Sequence, residues 1–258
     1  MRVATYNTHK CRGIDGRIRP ERIVEVLREV DADIIALQEV MCREGRRRTD
    51  NQARYIAEEL GLHAELGENR RYRGGAYGNL LLSRLPIHHA RNHDLSVYGR
   101  ERRGCLRTDI RLSDDFVLHM FNVHLGVALF ERRIQARELS RRQIFTDPEL
   151  AGPRIILGDF NEWTRDLPSE YLSQHFESAN SRIEDPRTHT FPGFLPFLAL
   201  DYIYFDRGMQ VENVMVHRSR MALRASDHLP LIAEFRLPIQ PARGLNPAQP
   251  AAFPIHCN

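Results

Sequence analysis

The sequence predicts an α/β fold whose strands suit two β-sheets packed face to face. Three observations predict it. Over about the first ninety residues, strand-like and helix-like stretches alternate. The middle of the chain is strand-rich, with two apolar or alternating runs separated by Ser113-Asp114-Asp115, a hairpin signal. Five apolar runs of strand length also end in, or abut, a short polar tip. The tips are Thr5-Tyr6-Asn7, Leu37-Gln38-Glu39-Val40, Asn122-Val123-His124-Leu125, Gly158-Asp159-Phe160-Asn161 and Ser226-Asp227-His228-Leu229-Pro230. Polar residues at strand ends, rather than along strands, are how such a scaffold collects a reactive site from distant parts of the chain.

Taken in order, residues 2–6 read as a strand. Pro20 opens a helix, with Ile23, Val26, Leu27 and Val30 at helical spacing. Asp33 to Leu37 is a buried strand. Asp50 can cap a second helix that carries Ala53, Ile56, Ala57 and Leu60 on one face and is stopped by Gly61. Residues 79–83 form a strand ended by Pro86, and residues 105–112 and 116–123 form the hairpin. Residues 130–145 are a charged helix, and Arg154 to Gly158 is a short buried strand leading into Asp159. Residues 201–205 and 231–236 are two more strands. Between Pro186 and Leu200 the chain is irregular and apolar, and after Pro238 it is rich in Pro and Ala. The expected organisation is one domain over residues 1–238 and a loosely held tail over 239–258.

Composition narrows the class. The 258 residues suffice for one large core. No run of about 18 apolar residues is present, so no transmembrane segment is expected. No secretory signal precedes the first strand, which points to a cytoplasmic protein. Cys11, Cys42, Cys105 and Cys257 show neither a C-x-x-C pair nor zinc-like spacing and are expected to be reduced, non-catalytic thiols. The net charge of +3 argues against a large non-specific DNA footprint, and arginine clusters such as Arg46-Arg47-Arg48 and Arg132-Arg133 argue for one where they converge on a cleft. The positive charge is nearly all arginine, because Lys10 is the only lysine, and arginine's fork suits phosphate. No protein partner is inferred.

The tips carry specific chemistry. Asn, Asp and Glu are hard oxygen ligands for Mg²⁺ or Mn²⁺, and the two histidines can move protons near neutral pH. Hydrolysis of a phosphodiester needs a neutralised phosphate, a water made nucleophilic and a stabilised leaving oxygen. Glu39 can hold a divalent cation, with Asn7 as a neutral partner. Asp159 and Asn161, two apart after a strand, can face the same side. Asp227 and His228 are adjacent and face different ways, so one can serve metal and the other a proton.

These tips, in this order, resemble the endonuclease/exonuclease/phosphatase superfamily. It includes pancreatic-type deoxyribonucleases, abasic-site endonucleases, neutral sphingomyelinases, inositol polyphosphate 5-phosphatases and deadenylases. The resemblance runs from Val3 to about Phe235 and is strengthened by Gly78-Asn79-Leu80-Leu81-Leu82-Ser83 and Leu200-Asp201-Tyr202-Ile203. It is nearest to small bacterial members with a Thr-Phe-Pro stretch before the Leu-Asp-x-Ile strand, here Thr190 to Ile203. It implies a four-layer α/β sandwich, two mostly antiparallel sheets packed face to face with helices on the outer faces.

The resemblance also implies roles. Glu39 would be the principal Mg²⁺ (or Mn²⁺) ligand, assisted by Asn7 and Asp227. Asp159 would position or activate the water, and Asn161 would bind the phosphate. His228 would act as general base or phosphate contact, oriented by Asp201. His124 would serve opposite it as phosphate ligand or general acid, with Asn79 as its polar partner.

The expected activity is Mg²⁺-dependent hydrolysis of a phosphodiester, with nucleic acid and phospholipid as the two substrate classes. A phosphomonoesterase, or a non-catalytic binding module keeping the fold, is the alternative. His9 and Lys10 follow Asn7 closely but read as solvated loop residues. The segment from Phe191 to Leu200 reads either as a core loop or as an apolar wall beside Asp201, able to stack on bases or enter a membrane interface.

Overall fold

A computed structural model describes residues 1–72, 74–113, 116–164, 166–183 and 188–236. The chain runs β1 (Arg2–Asn7), α1 (Pro20–Val30), β2 (Ile34–Arg43), α2 (Gln52–Leu60), β3 (His63–Tyr72) and β4 (Gly75–Ser83). It continues through β5 (Ile87–Asp94), β6 (Gly104–Ser113), β7 (Phe116–His124), α3 (Leu129–Arg141), β8 (Arg154–Asp159) and α4 (Leu167–His175). It ends with β9 (Phe176–Ser178), β10 (Asp201–Asp206), β11 (Gln210–Val216), α5 (Ala222–Ala225) and β12 (Leu231–Arg236).

These strands form two six-stranded sheets, ordered β11-β12-β1-β2-β4-β3 and β5-β6-β7-β8-β10-β9. Each sheet has one parallel pair, β1–β2 in the first and β7–β8 in the second. The remaining neighbours are antiparallel, as expected for mixed, mostly antiparallel sheets.

Side-chain alternation along the strands builds the layers. Val3, Ile34, Ala36 and Leu81 of the first sheet meet Leu118, Met120, Ile155, Leu157 and Ile203 of the second in one buried core. The intervening residues face outward. Ala4, Tyr6, Ile35 and Leu37 pack on Ile23 and Leu27 of α1 and Ile56 of α2. Phe121, Val123, Ile156 and Tyr204 pack on Leu139 of α3 and Leu172 of α4. The order is therefore helix, sheet, sheet, helix.

A polar clamp ties the sheets together near one end. The buried Asn122 amide donates to the carbonyls of Leu37 and Leu80 in the opposite sheet, each at 3.0 Å. Its Oδ1 accepts from Gln38 Nε2 at 2.8 Å. Every buried polar group so placed must be satisfied, which fixes how the sheets slide over each other. Next to this clamp lie the C-terminal ends of β1, β2, β7 and β8 and the start of β10, so one end of the sandwich collects the polar tips.

Several expectations need correction. Asn51, not Asp50, caps α2: its side chain accepts from Arg54 N at 2.9 Å. Asp50 lies in a preceding 3₁₀ turn, where its carboxylate accepts from Arg47 N. Strands β3, β5, β9 and β11 and helices α4 and α5 carry no clear mark in the sequence. Strands β3, β5, β9 and β11 are at or near sheet edges, and β5 and β11 alternate polar and partly exposed residues instead of presenting an apolar run. Cys42, expected to be reduced, is disulfide-bonded, whereas Cys11 and Cys105 are free and buried. Asp114 and Asp115 of the hairpin, Pro186 and the 239–258 tail lie outside the described residues. No helix among the described residues is long and apolar enough to cross a membrane.

Candidate active site

Asp159 is the hub. It ends β8 and is 1% exposed. Its partner in register is His124, the last residue of β7. Gly158 makes this close approach possible: at φ +149°, a Cβ there would collide with the Val123 carbonyl oxygen. Asp159 Oδ2 accepts from Asn7 Nδ2 at 2.9 Å, and Oδ1 accepts from the Asn161 backbone N–H at 2.9 Å. Two imidazoles converge on the same carboxylate. His124 Nε2 lies 3.6 Å and His228 Nε2 3.7 Å from Oδ2.

Behind His228 stands a second carboxylate. His228 Nδ1 and Asp201 Oδ2 are 2.8 Å apart, and the same oxygen accepts from Thr190 Oγ1 at 2.6 Å. Asp201 is fully buried at the start of β10. Phe191 packs against the His228 ring, with centroids 5.0 Å apart. The Thr190–Phe191 stretch is thus both core and wall: it braces Asp201 and His228 while Phe194, Leu195 and Phe197 remain exposed.

The electrostatics follow from burial and charge. Burial pushes the Asp159 carboxyl up to about 6, against the pull of His228. Burial also opposes charge on His228, but the Asp201, Asp159 and Asp227 carboxylates outweigh it and raise its pKa to about 10. His124 goes the other way: burial first, then the positive charges of Arg103, His228 and Lys10, hold it well below its ordinary value. At neutral pH the site therefore pairs a cationic histidine with a neutral one.

Glu39 lies at a β-bulge in β2, where the register with β4 slips between Leu37 and Val40. Its φ is +60°, unusual for a residue other than glycine. The bulge lets Gln38 turn inward to Asn122 while Glu39 faces the cleft. Glu39 Oε2 is buried without a hydrogen-bond partner among the described residues, although the Lys10 ammonium lies 3.3 Å away. Asp227 Oδ1 is 3.5 Å from His9 Nδ1, and the neighbouring Ser226 hydroxyl donates to the Asn7 carbonyl at 2.8 Å. Asn7 Oδ1 accepts from His9 N at 3.0 Å.

Among the described residues, no cluster of three or more His, Cys, Asp or Glu could hold a metal. The residues still fit a hard divalent cation. Mg²⁺ is commonly held by one or two carboxylates, completed by water and substrate oxygens. Glu39 offers a buried carboxylate oxygen that accepts no hydrogen bond among the described residues and lies beside the Lys10 ammonium, with Asn7 and Asp227 on the adjoining segments.

Two expected details differ. Asp159 and Asn161 meet at the cleft, but not through strand alternation: the strand ends at Asp159, and Asn161 takes a left-handed φ of +51°. The Asn161 amide donates to Leu125 O at 3.0 Å. Asn79 is not seen to partner His124. Its amide donates to the carbonyls of Gly104 and Asn122, each at 3.1 Å, so it braces β6 and β7 beneath the site. The sequence reading missed Lys10, His9 and Thr190. The first two reach Glu39 and Asp227 because residues 9–11 all take positive φ, a turn that their composition does not signal.

A separate cavity of about 630 Å³, lined by residues including Phe116, Pro153, Asp206, Met209 and Arg236, opens at the other end of the sandwich. Its location at the end of β10 and start of β8 separates it from Asp159 and His228.

Residues 4–228 match the Endonuclease/Exonuclease/phosphatase family. The chain is 31% identical over 256 residues to the uncharacterized protein YbhP of Escherichia coli (strain K12), covering 92% of this chain and 96% of that relative. Its fold is similar to that of an endonuclease/exonuclease/phosphatase from Beutenbergia cavernae, with a TM-score of 0.78 at 23% identity over 92% of this chain and 71% of that one. It is also similar to the mannosyl-6-phosphatase Bt3783 of Bacteroides thetaiotaomicron, with a TM-score of 0.73 at 18% identity over 92% of this chain and all of that one (100%). Members of the matched family generally use divalent metals. The chain belongs to the endonuclease/exonuclease/phosphatase family, whose members hydrolyse phosphoester bonds.

Proposed function

We propose that this chain is a Mg²⁺-dependent phosphodiesterase. The observation that supports it most is the convergence of His124 and His228 on the buried Asp159 carboxylate, with Asp201 behind His228. A carboxylate with a pKa of about 6 is suited to take a proton from water near neutral pH. Asn7 and the Asn161 N–H hold it in one orientation. His228, kept cationic by two carboxylates, serves as a charged donor to a phosphate oxygen rather than as the base.

Asn161 assists as a phosphate contact. His124 starts neutral; a phosphate anion placed beside it would offset Arg103 and His228 and favour its protonation. It is then able to hydrogen-bond the leaving oxygen. Glu39, with Asn7 and Asp227, would hold a Mg²⁺ or Mn²⁺ ion, which would neutralise phosphate charge and stabilise the leaving oxygen. Lys10 must give way at Glu39 when the cation binds.

Parallel assays of the Mg²⁺-loaded protein test this reading, using single-stranded DNA, RNA, a phospholipid panel, bis(p-nitrophenyl) phosphate and the monoester p-nitrophenyl phosphate. A His228→Ala control identifies contaminating activity. Diester turnover lost in the control is expected. Turnover of monoesters alone would refute the phosphodiesterase reading, and inertness on every class would favour a non-catalytic module.

A further inference from the structure

The described chain exposes eleven large apolar side chains, and all lie at the end of the sandwich that carries Asp159. They fall in five separate segments: 14–18 after β1, 98 before β6, 127–134 after β7, 163 after β8, and 194–197 before β10. The connections at the opposite end expose none among the described residues. Phe130 and Trp163, for example, are 54% and 59% exposed, and Phe194 and Phe197 are 63% and 59% exposed. Scattered exposed apolar residues need no explanation, but their confinement to one end of the fold does.

The same rim is basic. Arg12 and Arg19 flank Ile14 and Ile18, Arg43 ends β2 and Arg46 follows it. All four are exposed, and their side chains have no carboxylate partner among the described residues. Two neighbouring carboxylates are already neutralised, Asp15 by Arg22 and Glu101 by Arg103, which leaves Glu44 as the opposing charge on the β2 extension.

We propose that this end docks on the surface of an anionic phospholipid bilayer, so that the substrate is a phosphoester presented at headgroup depth. The substrate clause rests on the hydrolase reading above; the docking does not. Apolar side chains on separate protrusions can each enter the interfacial region, while unpaired arginines meet anionic headgroups. Tryptophan and phenylalanine suit that boundary. A nucleic acid would use the aromatic rings for stacking but would find nothing to do with Ile14, Ile18, Val127, Leu129 and Leu195. Docking would also place lipid against the pocket that runs from Trp163 past Phe197 to Tyr202, about 440 Å³ in volume and next to Asp201.

Trp163 is the chain's only tryptophan, so its emission reports docking directly. The test uses the full chain in chelator. It is mixed with vesicles of phosphatidylcholine, with vesicles of phosphatidylcholine and phosphatidylglycerol, and with a DNA oligonucleotide. Flotation with the anionic vesicles and a blue shift of Trp163 emission are expected. The triple variant Phe194→Ser, Leu195→Ser, Phe197→Ser should lose partitioning on the order of a hundredfold or more. Arg12→Glu with Arg19→Glu should lower partitioning by about fivefold per arginine, on anionic vesicles only. Both variants should retain the wild-type rate on soluble bis(p-nitrophenyl) phosphate with Mg²⁺, which also shows that they fold. Absence of flotation, equal flotation of the triple variant, or binding of the oligonucleotide but not of vesicles would overturn the docking. Docking by a protein inert on every phosphoester class, with Mg²⁺ present, would instead overturn the hydrolase reading.

Discussion

Asp201→Asn keeps the shape of a fully buried side chain and removes one negative charge. In the native protein Asp201 Oδ2 faces His228 Nδ1 at 2.8 Å and accepts from Thr190 Oγ1 at 2.6 Å. A hydrogen bond to a charged group contributes about 1.5–3 kcal/mol. One pKa unit corresponds to about 1.4 kcal/mol, so His228 should fall by about one to two units in the variant. The starting value is about 10, raised from an ordinary 6.5. A raised histidine contributes stability that is fully present below about pH 6.5 and is lost as pH rises through about 10. The metal-free wild type should therefore lose stability across that window, and the variant should lose less of it and finish at lower pH. NMR titration of the His228 ring in chelator measures the shift, and urea unfolding between those pH limits measures the stability. With Mg²⁺ present, the alkaline limb of kcat/KM should move down by the same amount. A His228 titration unchanged by the substitution would refute the assignment of Asp201 as the group that holds it protonated.

Other substitutions probe separate parts of the site. Asp159→Asn should lower kcat by on the order of a hundredfold or more while circular dichroism shows the fold kept, as expected for loss of the group that takes the water proton. Gly158→Ala should destabilise the protein by roughly 1–3 kcal/mol, read from urea unfolding, because the Val123 carbonyl must move. Asn122→Ala should cost roughly 2 kcal/mol or more, because it removes the donor to the Leu37 and Leu80 carbonyls, while the Gln38 amide keeps Thr5 Oγ1 and Ala36 O as acceptors. Glu39→Ala should weaken Mg²⁺ binding in calorimetric titration while leaving the fold intact, and unchanged affinity would remove Glu39 as a ligand.

Much of this architecture was legible where local signals agree with tertiary packing. Pro20 and the Ile23–Leu27 spacing define α1 because its apolar face is the one buried. Asp159 and His124 end apolar strands, Asp201 begins one and His228 lies just before another, and the sheets bring those ends together. What stayed illegible depends on the third dimension. Strand β5 has only His93 fully buried, so alternation carries little signal there. The Glu39 bulge and the left-handed run of residues 9–11 have no sequence mark, and they decide where Glu39, His9 and Lys10 point. For Asn79, an asparagine beside a catalytic tip and one clamping backbone carbonyls look alike in sequence.

Metal-assisted hydrolysis by the Asp159–His228 pair is tested most directly by one titration. Chelator-stripped protein is assayed on bis(p-nitrophenyl) phosphate as Mg²⁺ is added back, beside His228→Ala prepared identically. The expected result is no turnover in chelator, a saturable return with Mg²⁺ in the wild type, and a rate lower by on the order of a hundredfold in the variant. Undiminished hydrolysis in excess chelator, or equal rates for the two proteins, would contradict it.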